Sequence, residues 1–228
     1  VGSMNPRAVV VPGHLVDYVV LSPDQWQTAA ARYNPAFSGE VPTPLRHADP
    51  LPLDERKVVG RRAFAELAPG SVVNLGVGMA DAVAAVAEEE GALGDITLSI
   101  EQGLVGGMPA RGLVFGASWN PRAVLDQNVQ FDFYDGGGLD VACLGFAQAD
   151  RHGNVNVSHI AGRIFGTGGF INISQSARKV VFCGSFTTGG LEVEVGEGRL
   201  RIVTEGRHRK FPLEVDEVTF NAAQSSDR

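Results

Sequence analysis

The sequence predicts an α/β fold, with an open, mainly parallel sheet flanked by helices and an irregular arm at the N-terminus. Short apolar runs bounded by glycine or polar residues recur from residue 72 onward, which is typical of buried strands covered by helices. Apolar residues at helical spacing first appear after residue 53. Closely spaced prolines exclude regular helix from the segment before it: Pro35, Pro42, Pro44, Pro50 and Pro52. We therefore predict an arm over residues 1–52 and one α/β domain over residues 53–228.

The domain begins with a predicted helix–strand–turn–helix unit. Helical spacing covers residues 58–67, a strand is predicted at 72–75, and a second helix at 81–90. Gly76 and Gly78 form the turn between that strand and the second helix. The start of such a helix offers free backbone N–H groups and a positive dipole end, which suit an anion.

The glycines of this turn are weak evidence for dinucleotide binding. Asp81 stands where the dinucleotide-binding fingerprint has its third glycine.

The other predicted elements are short. Strands are predicted at residues 96–100, 114–116, 130–134, 141–145 and 179–184, with one more in the arm at 15–20. A short helix is predicted at 174–177. The tail at 191–220 alternates in short segments, such as 200–203 and 217–220, and is interpreted as antiparallel β.

Composition excludes several classes of function. A net charge of -7 argues against a nucleic-acid surface, which needs clustered Lys and Arg. No apolar run approaches the roughly 20 residues that cross a bilayer, and the N-terminus lacks a signal-peptide layout, so we expect a cytoplasmic protein without membrane contact. Cys143 and Cys183 lie in apolar, strand-like contexts and are expected to be buried thiols. No Cys/His spacing fits a zinc site, so no metal is expected.

The most informative feature is an acidic residue between a strand and a glycine-rich turn. Glu101 ends the strand at 96–100, and Gly103, Gly106 and Gly107 follow it. Ligands of open α/β sheets bind beyond the carboxyl ends of the strands, and glycines let a ligand approach the backbone closely. A carboxylate placed there can act as a nucleophile and form a covalent acyl intermediate. The alternative is that Glu101 only caps the turn or pairs with an arginine.

A second glycine cluster comprises Gly166, Thr167, Gly168 and Gly169. Consecutive glycine amides can point at a developing negative oxygen and form an oxyanion hole. The alternative is a tight turn that needs positive φ angles. His152 lies in a polar loop, where it is either an acid/base or simply solvated.

Together these motifs resemble family I CoA-transferases, most closely the single-chain acetate, propionate and 3-oxoacid enzymes. Glu101-Gln102-Gly103 is similar to the family's E-x-G motif, and residues 166–170 are similar to its G-x-G-G-F motif. Further similarity runs through residues 74–78, 131–138 and 150–157, so it covers nearly the whole chain. The resemblance implies the CoA-transferase, NagB/RpiA-like type of α/β fold.

The resemblance also implies a ping-pong reaction. The glutamate attacks an acyl-CoA thioester, an acyl-glutamyl anhydride forms, and the CoA thiolate converts it to a glutamyl-CoA thioester, from which an acceptor carboxylate takes CoA. By this resemblance Glu101 is the nucleophile, and the turn at residues 166–169 supplies amides to the oxyanion. Residues expected to approach CoA or substrate are Asn74, Gly76, Gly78, Gly103, Gly106 and Gly107. Acyl-CoA and a short-chain carboxylate are expected as substrates, with no permanently bound cofactor.

Complete polypeptides of the family carry two similar α/β halves, and this chain resembles only the second, glutamate-bearing half. It stops at residue 228, before the family's final strands, so we expect activity only with a complementary alpha-like half, in a homo-oligomer of the complete enzyme. The arm is expected to lie against that half or another domain. Two alternatives stay open: a catalytically silent binding module on the same fold, and an acyl-CoA thioesterase.

Overall fold

The computed structural model describes residues 5–44, 50–160 and 162–225. Its helices are α1 (Glu55–Phe64), α2 (Ala82–Glu89), α3 (Gln127–Asp135), α4 (Phe170–Ser176) and α5 (Ala222–Ser225). Its strands are β1 (Val72–Leu75), β2 (Thr97–Ile100), β3 (Leu104–Val105), β4 (Met108–Pro109), β5 (Ser118–Trp119), β6 (Ala123–Val124), β7 (Val141–Gly145), β8 (Gln148–Ala149), β9 (Val155–Asn156), β10 (His159–Ile160), β11 (Arg163–Ile164), β12 (Lys179–Cys183), β13 (Thr187–Thr188), β14 (Glu192–Gly196), β15 (Arg199–Thr204) and β16 (His208–Arg209).

The central sheet has six strands in the order β12-β7-β1-β2-β3-β6. β12, β7, β1 and β2 are parallel to their neighbours, whereas β3 and β6 add an antiparallel edge. The other strands form two-stranded pairs, the longest of which is the β14–β15 hairpin. The prediction of an open, mainly parallel sheet is therefore confirmed.

Helices cover both faces of the parallel strands. Val73 and Leu75 of β1 lie in a core that also contains Ala63 of α1 and Val83 of α2. Leu144 of β7 lies in the opposite core, with residues of α3 and α4. Successive side chains of a strand point to opposite faces, so a strand covered on both sides is apolar at most of its positions. β7 is accordingly a continuous apolar run, whereas β1 and β2 each also bury one polar side chain, Asn74 and Ser99.

The strand–turn–helix unit forms as predicted, with an added short 3₁₀ turn. β1 ends at Leu75, a 3₁₀ turn covers Met79–Asp81, and α2 follows directly. Asp81 is buried and forms an ion pair with Arg56 of α1. The acidic residue that breaks the dinucleotide fingerprint thus joins the first two helices.

The prediction of a strand at residues 130–134 is wrong, because these residues belong to α3. Gln130 and Tyr134, four residues apart, are its buried members, as expected for one face of a helix. Phe131 and Phe133 between them produced an alternating pattern, but both are only partly covered or exposed. A helix also fits the flanking residues, since Asp126 is the N-cap and Gly136 the C-cap.

Three other predicted strands do not form. Residues 15–20 follow a 3₁₀ turn at Gly13–Leu15 and pair with no strand in the described ranges. Residues 114–116 overlap a 3₁₀ turn at Gly112–Val114, and residues 217–220 make only one bridge, between Phe220 and Val155. In each case apolar residues are present without a partner strand in the described ranges that would satisfy the backbone. The predicted segment 200–203 does form, within β15.

The division at residue 52 stays a prediction. Part of the predicted arm packs on the domain, since Phe37 contacts Trp119 with 4.5 Å between ring centroids. Residues 1–4, 45–49 and 226–228 of the predicted arm and tail lie outside the described residues. Among the helices described, none is long and apolar enough to span a bilayer.

Candidate active site

Glu101 directly follows β2, at the edge where the four parallel strands all end. A cavity of about 570 Å³ opens at this edge and is lined by the half-buried Glu101. In such sheets the carboxyl edge is where ligands bind, because the loops that follow the strands diverge there. The strand that carries Glu101 is held from both sides by β1 and β3, so the carboxylate stands on a rigid support.

Eight of the predicted site residues line this one cavity. They come from the ends of β1 and β2 and from the loop before α4: Asn74, Gly76, Gly78, Glu101, Gly166, Thr167, Gly168 and Gly169. The exposed Phe165, directly before the glycine loop, also lines it. Glu101 and the glycine loop at 166–169 are more than 60 residues apart in sequence and meet in this cavity. Neither motif alone could show this proximity.

The glycine loop presents free backbone amides. Gly166 and Gly168 have φ angles of 78° and 52°, in the left-handed region that favours glycine. In the described part of the chain, the N–H groups of Gly168 and Gly169 donate no hydrogen bond to a backbone acceptor, whereas the Phe170 N–H bonds Thr167 O at 3.1 Å. The loop is therefore a tight turn with positive φ angles, and it also leaves backbone N–H donors available for an oxyanion.

A buried polar network lies beneath Glu101. The Asn74 amide Nδ2 lies 3.5 Å from Glu101 Oε2, 3.3 Å from the Tyr134 hydroxyl and 3.3 Å from Ser99 O. The Tyr134 hydroxyl donates to Ser99 Oγ at 3.0 Å and accepts from Gln130 Nε2 at 2.8 Å. Asn74, Ser99, Gln130 and Tyr134 are all fully or almost fully buried. This network fixes the amide that contacts the carboxylate.

Tyr134 keeps its proton in this network. The pKa of Tyr134 is raised, mainly by burial and further by the nearby Glu101 charge. Hydrogen bonds with Ser99, Gln130 and Asn74 lower it, but by less. The phenol is therefore a neutral donor throughout the physiological range. Of these four residues only Asn74 was expected at the site, because the others are joined to it only by tertiary packing.

Removing the Tyr134 hydroxyl should destabilise the protein without emptying the core. In Tyr134→Phe the ring stays and the Asn74 amide keeps Ser99 O, but the Gln130 amide loses its bond to the hydroxyl, at a cost of about 1–3 kcal/mol for a buried unpaired donor. Urea unfolding should show this loss against Tyr33→Phe, whose hydroxyl bonds Glu40 at the exposed surface. Equal stability of the two variants would contradict a structural role for the network.

The glycines after Glu101 do not line the cavity. Gly103 and Gly107 have φ angles of 106° and 73°, and an added Cβ would lie 2.0 Å from Leu125 O and 2.2 Å from Trp119 O, respectively. Gly106 is buried and meets the Arg122 side chain. Gly103 and Gly107 thus allow close backbone packing behind Glu101, Gly106 makes room for the Arg122 side chain, and contact of the three with CoA stays a prediction.

The other candidates divide between the cavity and the surface. His152 is exposed on a loop and contacts Arg151, and it does not line the cavity. Cys143 and Cys183 are free, buried thiols, as predicted, and Cys183 reaches the cavity wall. Lys210 also lines the cavity and was not predicted, because a lysine at the end of the short basic run 207–210 carries no sequence signal for a site.

Known proteins match this chain over nearly its whole length. It is 47% identical over 227 residues to acetate CoA-transferase YdiF of Escherichia coli O157:H7 and 48% identical over 233 residues to caffeate CoA-transferase of Acetobacterium woodii. A crystal structure of acyl-CoA transferase YdiF from E. coli O157:H7, a thioester complex with CoA, matches with a TM-score of 0.86 and 45% identity over 98% of this chain. No protein-family model matches the sequence.

Fold and site together define an α/β protein with a carboxylate and free backbone amides in one cavity at the carboxyl edge of the sheet. The relatives that match nearly the whole chain are named CoA-transferases, which confirms the resemblance of its motifs to the family I CoA-transferases. It covers 43% and 44% of the two curated relatives and 42% of the crystallised chain, so it spans less than half of each.

Proposed function

We propose that this chain is the glutamate-bearing half of an enzyme that transfers CoA between a short-chain acyl-CoA and a carboxylic acid. The observation that carries the proposal is the position of Glu101 in the same cavity as the free amides of the glycine loop. The similarity to CoA-transferases over 99% of the chain supports it.

In the proposed reaction the Glu101 carboxylate attacks the thioester carbonyl of acyl-CoA. The CoA thiolate leaves and an acyl-glutamyl anhydride forms; the thiolate then attacks the glutamyl carbonyl, which releases the acyl group as a carboxylate and leaves CoA on Glu101. An acceptor carboxylate reverses these steps. Each tetrahedral intermediate bears an oxyanion, for which the Gly168 and Gly169 amides are available donors.

The Asn74 amide serves the same reaction by orienting the nucleophile. Its Nδ2 is within 3.5 Å of one carboxylate oxygen, and the buried network beneath prevents the amide from turning away. A carboxylate is a weak nucleophile, so loss of orientation is expected to lower the rate of attack.

The acid that accepts CoA is proposed only as a class. The relatives are named for acetate and for caffeate, a small aliphatic and a larger aromatic acid, at nearly equal identity. Similarity therefore does not select between them, and the short-chain assignment rests on the resemblance of the motifs. We also propose that the complete enzyme needs the complementary alpha-like half, because the chain spans less than half of its relatives.

Acceptor dependence tests the proposed function. With the full complement of chains, CoA should move from propionyl-CoA to acetate, and double-reciprocal plots at several acetate concentrations should be parallel, as for a ping-pong reaction. CoA release that proceeds equally without acetate would show a thioesterase instead. Neither transfer nor hydrolysis by the complete protein would support the silent-module alternative.

The N-terminal arm provides a separate prediction about partners. Tyr18, Val20 and Leu21 are 89%, 85% and 88% exposed, respectively, in an apolar run that pairs with no strand in the described ranges. Such a run is expected to bind another polypeptide. The isolated chain should self-associate in sedimentation velocity, and serine at these three positions should reduce the association. Serine at three exposed tail positions, Leu200, Ile202 and Val203, is the matched control, and a stable monomer before any substitution would contradict the prediction.

A further inference from the structure

Lys210 places a cation in the wall of the cavity that contains Glu101. It follows β16, and its backbone is fixed on both sides, because its N–H donates to Phe186 O at 3.0 Å and its carbonyl accepts from Ala149 N–H at 2.8 Å. Its ammonium Nζ lies 4.0 Å from the centroid of the Phe146 ring, which also lines the cavity. The side chain is therefore held at the cavity wall.

This ammonium has no carboxylate partner in the described residues. The ion pairs found there join other lysines and arginines to acids, and the contact found for Lys210 Nζ is the Phe146 ring. Burial lowers the pKa of Lys210, and no neighbouring acid opposes this effect. An aromatic face attracts a cation but does not take up the three N–H donors of an ammonium. Those donors are available to an anionic ligand.

The proposed reaction brings such a ligand into the cavity. Burying a carboxylate against apolar walls is costly unless a cation or hydrogen bonds compensate. Apolar side chains line the cavity, with Phe146, Phe165 and Ile173 among them, and the nucleophile Glu101 is itself an anion. Without a cation, the carboxylate of the acceptor acid would be repelled by the Glu101 carboxylate and poorly solvated by the apolar walls.

We propose that Lys210 binds the carboxylate of the acid substrate, as it leaves in the first half-reaction and as it enters in the second; this inference rests on the proposed function. The ammonium holds one carboxylate oxygen while the other attacks the glutamyl-CoA carbonyl. The C–S bond breaks, CoA thiolate leaves, and the acyl-glutamyl anhydride forms. The thiolate then attacks the acyl carbonyl, which yields acyl-CoA and the free Glu101 carboxylate.

A phosphate of CoA is the other anion that this chemistry can bind. The pantetheine arm separates the phosphates of CoA widely from its sulfur, so a residue that shares a cavity with Glu101 is better placed for the acid. The test must still separate the two sources.

The experiment uses Lys210→Met, which keeps the length of the side chain without its charge, in the purified protein with its full complement of chains. Each protein is loaded to completion with acetyl-CoA and desalted, and the glutamyl-CoA thioester is measured by intact mass. It is then discharged with acetate or with hydroxylamine, an uncharged nucleophile at neutral pH. Lys179→Met is the matched control, because Lys179 pairs with Glu66 outside this cavity.

Lys210→Met should load but discharge about 10- to 100-fold more slowly with subsaturating acetate, as expected for loss of a charged hydrogen bond. Discharge by hydroxylamine should be unchanged, and Lys179→Met should behave as wild type with both. Equal acetate discharge, or equal slowing with both nucleophiles, would overturn the inference. A defect confined to the KM for acetyl-CoA, absent with acetyl-pantetheine, would overturn it in favour of a phosphate. Wild-type protein that never loads would overturn the proposed function and this inference with it.

Discussion

Replacing Glu101 with glutamine should lower CoA transfer by on the order of 10⁴-fold or more, as for other covalent nucleophiles. The amide has nearly the same size and can still accept a hydrogen bond from Asn74, but it cannot attack a thioester to form an anhydride. The variant should therefore fold normally and bind substrate while forming no covalent intermediate.

The control for this variant is Glu194→Gln, at an exposed glutamate that pairs with Arg201 on the β14–β15 hairpin. Its activity should equal that of the wild type, and both variants should unfold at the same urea concentration. Retention of more than about one-tenth of the activity by Glu101→Gln would assign the nucleophile to another group.

Replacing Gly103 with alanine should destabilise the protein by roughly 3 kcal/mol or more, because two costs add. The φ angle of Gly103 is 106°, which an alanine rarely adopts, and the new Cβ would lie 2.0 Å from Leu125 O. Leu125 cannot simply move, since its N–H donates to Gly103 O at 2.8 Å and the neighbouring Val124 belongs to β6 at the sheet edge. The loop behind Glu101 must therefore shift.

Gly70→Ala separates the two costs. Gly70 has a φ angle of 84°, but an added Cβ meets nothing within 4 Å. It should cost only about 1–2 kcal/mol for the backbone conformation. Urea unfolding of both variants measures the difference, and similar losses would contradict the steric role assigned to Gly103. Activity per folded molecule should fall in Gly103→Ala and not in Gly70→Ala.

The sequence was most informative where burial alone determines the element. β1, β2, β7 and β12 were predicted closely, because strands covered on both faces are apolar at most positions, with Asn74 and Ser99 as buried polar exceptions. α3 was misread because Phe131 and Phe133 alternate with polar residues, while the buried pair is Gln130 and Tyr134. Phe131 is half-buried and Phe133 is exposed, so their alternation with polar residues did not indicate one buried face.

Other elements depend on partners that a single segment does not contain. β3 and β6 are two residues each and exist because they pair with each other beside β2. The apolar run at residues 15–20 has the composition of a strand and no partner in the described ranges. Local pattern predicts a preference, whereas pairing decides whether a strand forms.

Some residues of the candidate site were predicted from local motifs, and others were not. Glu101 and the turn at residues 166–169 were predicted from their motifs, and the structure brings them into one cavity. The buried Ser99, Gln130 and Tyr134, and Lys210 in the cavity wall, were not predicted as site residues. Their roles depend on distances between segments, and nothing in their local sequence indicates them.

Intact-mass spectrometry after incubation with acetyl-CoA and borohydride tests the central claim most directly. The protein is used with its full complement of chains, and borohydride reduces a glutamyl thioester to the alcohol. We predict a loss of about 14 Da that maps to the peptide containing Glu101 and is absent from Glu101→Gln, as covalent catalysis requires. An unchanged mass in a preparation that transfers CoA, or a modification on another residue, would contradict the account.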